Sequence, residues 1–463
     1  MDQRENRIRR EEKQLLYYSW FWSLLLILAV PLACLYTGEG KVLWIELKRI
    51  LLSPAHETPD YFSVGGLGAA LLNAALCGTA VSLIFSLTRV RMNATLLAGY
   101  FLVIAHCFYG LNIANLWFPF LGMLLAGRLR RVPVRDVLHL ALFSTSLGPF
   151  ISDFLFRYGA EAEAGARLSP GGLVLALSFS LIAGFVIPAL LPGTTRMHRG
   201  YNLYKAGLAI GLFGILAYAL FYRTMGIGSA VGPLLRNPLY DAAGCSYQLF
   251  MGLFFGIAFA GSLLWGFLAG GKSFKSYAAV WRCDGWQDDF PGKCGLPATL
   301  INIGLYGFCV LLYINLAISF TEGVGFTGPT AGVVIAAITF SASGQTPRNV
   351  WPILLGYYLL FMAVKGVCLL TGLPQSWSLS SQPYINGMAF ATGLCPFTGR
   401  YGCGIGILAG FIDAILCTST SAMHGGFMLY NGGLTAGLTA LILLPILEFY
   451  KVKQKPFTDD NIQ

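Results

Sequence analysis

Charge is what this chain has least of. Lys, Arg, Asp and Glu make up 11% of its 463 residues, against about 25% in an ordinary soluble domain. With 56% of residues hydrophobic, the scarcity excludes a soluble globular protein, which could not hide that much apolar surface. Histidine is sparse too, at five residues. No nucleophile elbow, phosphate loop, HExxH pair or carboxylate–His cluster occurs, so the constellation a membrane enzyme needs is missing. No catalytic residue, metal or cofactor is therefore expected. The eleven cysteines are scattered, and Cys77, Cys107, Cys309, Cys368 and Cys417 fall inside apolar stretches, where they act as small apolar residues. Cys283 and Cys294 share a loop without metal-ligand spacing and read as structural.

What the chain has is long apolar runs. Fourteen segments are expected to be membrane helices, at 16–36, 64–88, 93–110, 113–127, 136–156, 171–192, 204–222, 246–270, 296–318, 328–343, 349–371, 384–399, 404–420 and 430–450. A span needs about 20 apolar residues to cross roughly 30 Å of hydrocarbon. The polar stretch Met1–Lys13 is followed by an apolar run with no small-residue cleavage site, which reads as an uncleaved first span. If all fourteen cross and the N-terminus is cytoplasmic, 23 of the 31 basic residues lie in cytoplasmic segments and 8 elsewhere. That bias orients membrane helices. It explains the net charge of +10 as a topology signal facing anionic headgroups, with no nucleic-acid partner, and places both termini in the cytoplasm of a cell membrane.

The chain also repeats itself. Gly66–Asn73 matches Gly295–Asn302 at an offset of 229, and Gly110–Trp117 matches Gly344–Trp351 at 234. Phe143–Phe150 matches Phe390–Phe397 at 247, and Met197–Tyr204 matches Met423–Tyr430 at 226. Four blocks in the same order divide the chain into a 1–15 tail, a first repeat at 16–222, a connection at 223–245, a second repeat at 246–450 and a 451–463 tail. Seven spans is an odd number, so the second repeat enters from the opposite face. The expected fold is an all-α membrane protein of about 14 transmembrane helices in two inverted-topology repeats of seven. Inverted repeats are the signature of secondary transporters and some channels.

Candidate site residues follow from the breaks. Ala94–Gly127 offers 34 residues for two passes, so this pair and its partner around Gly344 are expected to be short or discontinuous, which persists in hydrocarbon only against protein or a water-filled cavity. Asn112, Asn115, Gln345, Thr346 and Asn349 are candidate pathway residues there; the alternative is a polar turn at the membrane surface. Asn73 and Asn302 occupy matched intramembrane positions, and Thr145 and Thr392 precede matched prolines in kinked helices. Each pair serves either solute contact or helix–helix bonding. Asp413 is the acidic residue deepest in a span, and its counterpart is Ile187. It reads as an H+ or Na+ coupling residue or as half of an ion pair with Arg400. His106 is a further candidate proton carrier, or a satisfied structural histidine. His198 and His424 fall on opposite faces and cannot share one metal.

On Gly65–Asn73, Asn349–Gly356 and His424–Gly433 the chain resembles a family of bacterial, mostly Firmicute, multi-pass membrane proteins known as a domain of unknown function. The resemblance covers nearly the whole chain and implies a bacterial inner membrane. Seven plus seven inverted spans also look like the architecture of nucleobase and anion transporters, and the stretch from Gln345 is similar to urea-channel repeats. No motif of the former is present, and fold does not fix function. The reading is a transporter or channel for a small solute with its pathway between the halves, in a lipid bilayer and open to homo-oligomer assembly. Its rivals are a membrane enzyme or lipid-handling protein, marked by a catalytic cluster, and a scaffold or sensor, marked by a solid interior.

Overall fold

Caps and helix breakers set the element boundaries. The computed structural model describes residues 3–53, 55, 59–159, 166–227, 239–321, 326–375, 379 and 381–455. The first stretch holds α1 (Gln3–Thr37), α2 (Leu43–Leu52), α3 (Tyr61–Thr88), α4 (Ala94–His106), α5 (Trp117–Leu129), α6 (Val134–Ser144), α7 (Gly148–Phe156), α8 (Pro170–His198) and α9 (Lys205–Tyr218). The second holds α10 (Leu239–Ala269), α11 (Tyr277–Arg282), α12 (Phe290–Cys294), α13 (Leu296–Thr321), α14 (Gly328–Ala337), α15 (Pro347–Thr371), α16 (Gln382–Ala391), α17 (Cys395–Tyr401), α18 (Cys403–Met423) and α19 (Asn431–Phe449). Asp60, Asn93, Ser169, Thr327 and Thr346 each accept an amide of the first turn they precede, satisfying donors the helix leaves free. The connection at 228–238 lies outside the described residues.

Ten helices among the described residues are long and apolar enough to cross a membrane. The other four expected segments are helical but differ in build. α4 and α5 have 13 residues each and α14 has 10; at 1.5 Å per residue they reach about 15–20 Å, short of the hydrocarbon thickness. α15, expected to share the shortness of α5, runs instead for 25 residues. Pro347 and a Thr346–Asn349 capping box start it, and nothing breaks it before Gly372 in the left-handed region (φ +72). The segment at 384–399 is divided, α16 passing through a 3-10 turn at 392–394 into α17. Its match, α6 into α7, has the same turn at 145–147. Pro149 and Pro396 lack the N–H that would continue the ladder.

The outer wall is apolar. Leu24, Leu28, Leu32 and Leu35 on α1, Val174, Leu177 and Ile182 on α8, and Val367 and Leu370 on α15 all face outward, a surface far beyond the patches a soluble monomer exposes. The chain is a multi-pass helical membrane protein. A groove of about 1280 Å³ along α5 and α8 is walled by exposed Leu121, Leu125 and Leu177 and belongs to this lipid-facing surface.

One face gathers basic segments from across the chain. Arg199 pairs with Glu448, and its carbonyl accepts from Trp286 Nε1 at 2.9 Å. The Lys455 amide donates to the Arg400 carbonyl at 2.7 Å. Arg400 does not meet Asp413, contrary to one of the two sequence expectations. Its Nε bonds Asp284 Oδ2 at 2.9 Å, and its guanidinium lies 3.8 Å over the Trp286 ring. The reason is position: Arg400 closes α17 at this face, whereas Asp413 lies mid-helix in α18.

Candidate functional site: a cavity between matched segments

The matched blocks fold into matched hydrogen bonds. Asn73 Nδ2 donates to the carbonyls of Cys107 and Leu111, both at 2.9 Å. Asn302 Nδ2 does the same to Ser341 and Gln345, both at 2.7 Å, the same acceptors at an offset of 234. Asn73 Oδ1 accepts the Ile113 amide at 3.1 Å. Pro347, with no amide hydrogen, stands at the position matching Ile113, and Asn302 Oδ1 takes the Tyr277 hydroxyl at 3.3 Å instead. Asn115 Nδ2 holds the Gly110 carbonyl at 2.9 Å and Asn349 Nδ2 holds that of Gly344 at 2.7 Å. The Asn112 and Thr346 amides each donate to the following Asn at 2.8 Å. These polar side chains thus satisfy backbone groups exposed where α4 and α14 end, which buried structure requires. Gly110 and Gly344 sit at φ +133 and +143, conformations that L side chains rarely adopt.

Where the two stretches meet, the bonding crosses over. The Leu203 amide donates to the Gly393 carbonyl and the Leu429 amide to Ser146, each at 3.0 Å. Leu429 matches Leu203 and Gly393 matches Ser146. Gly207 of α9 touches Gly433 of α19, its own match, backbone to backbone. Around this contact Tyr204 and Tyr430 lie 5.8 Å apart, with Phe340 at 4.7 Å from Tyr204 and His106, which matches Phe340, at 6.5 Å from Tyr430. Gln345 Nε2 and Thr392 Oγ1 bond each other at 2.6 Å beside Tyr204, and Thr145 turns back to the Leu142 carbonyl at 2.7 Å. His106 is fully buried and neither ring nitrogen has a hydrogen-bond partner among the described residues.

Beside this centre a cavity of about 480 Å³ opens. Thr95 of α4, His139 of α6, Thr195 of α8, Lys205 of α9 and the loop residues Gln287, Asp288 and Ser343 supply its polar lining, with Phe143 and Phe340 among the apolar wall. Asp288 is bonded to Lys293 Nζ at 2.7 Å and to the Gly285 amide at 2.8 Å. Burial pushes its carboxyl above the usual range, and the Lys293 ammonium only partly offsets this.

The matched positions at the opposite face are arranged differently. Asp60 Oδ1 accepts the Gly328 amide at 2.8 Å, tying the start of α3 to the start of α14. The matching residues are Asp289 and Ala94. No bond joins them; Asp289 takes the Gly292 amide, and their neighbours Asp288 and Thr95 line the cavity. The neighbouring bond survives at both faces, Tyr61 N to the Phe108 carbonyl at 3.3 Å and Phe290 N to that of Ala342 at 3.0 Å. His106 and Tyr109, matching Phe340 and Ser343, are buried, and Asn431, matching Lys205, is bonded to His424 Nε2 at 2.9 Å.

Asp413 is fully buried between α15, α18 and α19. Tyr357 and Thr439 hydroxyls donate to its two oxygens, and no cation pairs with it among the described residues. It does not line the cavity, and neither do Asn73, Asn302, Asn112, Asn115, Gln345, Thr346 or Asn349; from the second break only Phe340 and Ser343 reach it. Sequence reasoning missed Lys205, Thr95, Thr195 and the Asp60–Gly328 tie. Lys205 was absorbed into the count of basic residues. The Asp60–Asp289 match was readable by extending the first repeat block six residues upstream at the same offset of 229.

An all-helical bundle with a lipid-facing wall and a polar interior cavity defines a class, the polytopic membrane proteins. Within it, the family described as "Protein of unknown function (DUF1576)" matches residues 40–223 and 271–449, and the chain belongs to that family. No curated protein and no solved structure matches it.

Proposed function

We propose that the protein transports a small solute along a pathway between two halves of opposite orientation, 16–222 and 246–450, each contributing seven of fourteen membrane segments. The exchanged bonds of Leu203 and Leu429, and the contact of Gly207 with its own match, support a two-fold relation in which each half gives the other what it receives. The basic face then lies in the cytoplasm of the cell membrane, and both termini with it. One observation carries the choice of a transporter over a continuously open channel: the tie between Asp60 and Gly328 is made at one face and its match is open at the other, around a cavity. Two equivalent gates in different states are what alternation about a fixed site requires. Asp413, a buried carboxylate held by two hydroxyls, is the coupling residue of this reading, with H+ or Na+ as the ion.

Cysteine labelling in oriented vesicles tests it. Thr195→Cys should react from the basic face and Asn386→Cys, in α16 at the position matching the cavity residue His139, from the other, and opening one should protect the other. Simultaneous reaction from both sides identifies a channel. An Asn386→Cys that stays inert in every condition identifies a scaffold.

A further inference from the structure

The charges around the cavity do not balance. Asp288 is met by Lys293 and the Gly285 amide, whereas Lys205, half-buried, has no hydrogen-bond or ion-pair partner for its ammonium among the described residues. An ammonium drawn out of water without a counter-ion is costly, and a low-dielectric cleft focuses its field on whatever enters. Two helices begin at the same space, α9 at Lys205 and α4 next to Thr95; Asn93 and the Leu203 and Tyr204 carbonyls take several of their first-turn amides, and the positive ends of the two helix dipoles still point at the space. The hydroxyls of Thr95 and Thr195 are further donors. Packing does not demand the charge, because Asn431 fills the matched position at the other face. A volume of about 480 Å³ falls in the range of pockets that enclose a small molecule.

We propose that this cavity binds a small anion bearing a carboxylate or phosphate, its negative group on the Lys205 ammonium with the Thr195 and Thr95 hydroxyls beside it. The inference rests on the transport reading for its functional sense, but binding can be tested apart from flux.

Thr195→Cys in the full-length protein, reconstituted in phosphatidylcholine vesicles, is labelled with a sulfonate-bearing and an ammonium-bearing thiosulfonate of similar size. Modification at position 195 is read by peptide mass spectrometry. The sulfonate reagent should react at least tenfold faster, and inorganic phosphate, succinate or citrate should slow it. Adding Lys205→Gln should remove the preference, and Lys205→Arg should retain it. Equal rates for both reagents in the Lys205 protein, or a preference that survives Lys205→Gln, would overturn the proposal. Loss of the preference on adding phosphatidylglycerol, with no effect of the free anions, would assign the site to a lipid headgroup and also overturn it. Flux of the protecting anion into vesicles is measured separately. Binding without flux sinks the transport reading and leaves the site; flux of neutral or cationic solutes unaffected by Lys205→Gln does the reverse.

Discussion

Asp60, buried, reaches across to the Gly328 amide at the start of α14; the matching Asp289 turns back on its own loop to the Gly292 amide, beside a cavity. The backbone next to the two positions is alike. The flanking Tyr61–Phe108 and Phe290–Ala342 bonds are both made, and both aspartates precede a short helical turn that ends at a glycine, Gly66 at φ +74 and Gly295 at φ +82. The side chains differ around this shared backbone, Lys205 against Asn431 and Phe340 against His106. On the transport reading proposed above, a small change in the relative position of the halves would exchange the two states.

The comparison breaks most completely at its pivot. Gly207→Leu would drive a side chain into the Gly433 backbone and should cost about 3 kcal/mol, read as a lowered Tm or as loss of monodisperse protein. Gly252→Leu, where an added Cβ meets nothing, should stay within about 0.5 kcal/mol. Equal Tm values for the two variants would mean that the pivot is elsewhere.

Asn73→Ala and Asn302→Ala test whether the halves are equivalent. Each strands two buried carbonyls, so each should cost about 2–3 kcal/mol, and thermal unfolding should place them within about 1 kcal/mol of each other. A wide gap would show that Pro347 and Tyr277 have changed how the second half is held.

The gates should respond more gently. Asp60→Ala removes a helix cap and the tie to Gly328, worth about 1–2 kcal/mol. Labelling of Asn386→Cys should rise about tenfold while that of Thr195→Cys falls. Asp289→Ala, with no bond to break across the halves, should move neither rate. If both variants behave alike, the asymmetry carries no functional weight.

The smallest effect on stability is expected at Asp413. Asp413→Asn keeps size and can still bond Thr439, and no partner cation is stranded, so Tm should shift by about 1 kcal/mol equivalent or less. Uptake should nonetheless lose its pH or sodium dependence. Unchanged dependence in a stable variant removes Asp413 from coupling, although its carboxylate still sets the second half apart from the first, where Ile187 stands.

Much of this arrangement was readable beforehand. Apolar runs marked the ten helices long enough to cross, because in a bilayer hydrophobicity and length decide what crosses, while the short α2, α11 and α12 fell between the expected segments. The offset blocks paired Asn73 with Asn302 and Gly110 with Gly344, since glycine and buried amide positions tolerate few replacements. What could not be read was which polar groups face backbone and which face space. Asn112, Asn115 and Asn349 have the composition of a binding site, yet their bonds close local turns and, for Asn115, reach Ser152 of α7, a choice set by a few ångströms of backbone geometry. Lys205 has the composition of an ordinary interfacial lysine, and tertiary packing alone placed it in a cavity. Arg400 and Asp413 are near in sequence, but α18 carries the carboxylate away from the face where Arg400 ends.

The Gly207–Gly433 contact has a consequence for descent. Under the two-fold relation, this is where the chain touches its own image. In an ancestor whose halves were identical copies, any substitution here would have struck twice at one point, two new side chains colliding head on. A residue elsewhere could drift in one copy and be accommodated by the other. At this point such an ancestor would have had no such freedom, and both positions hold the smallest residue there is.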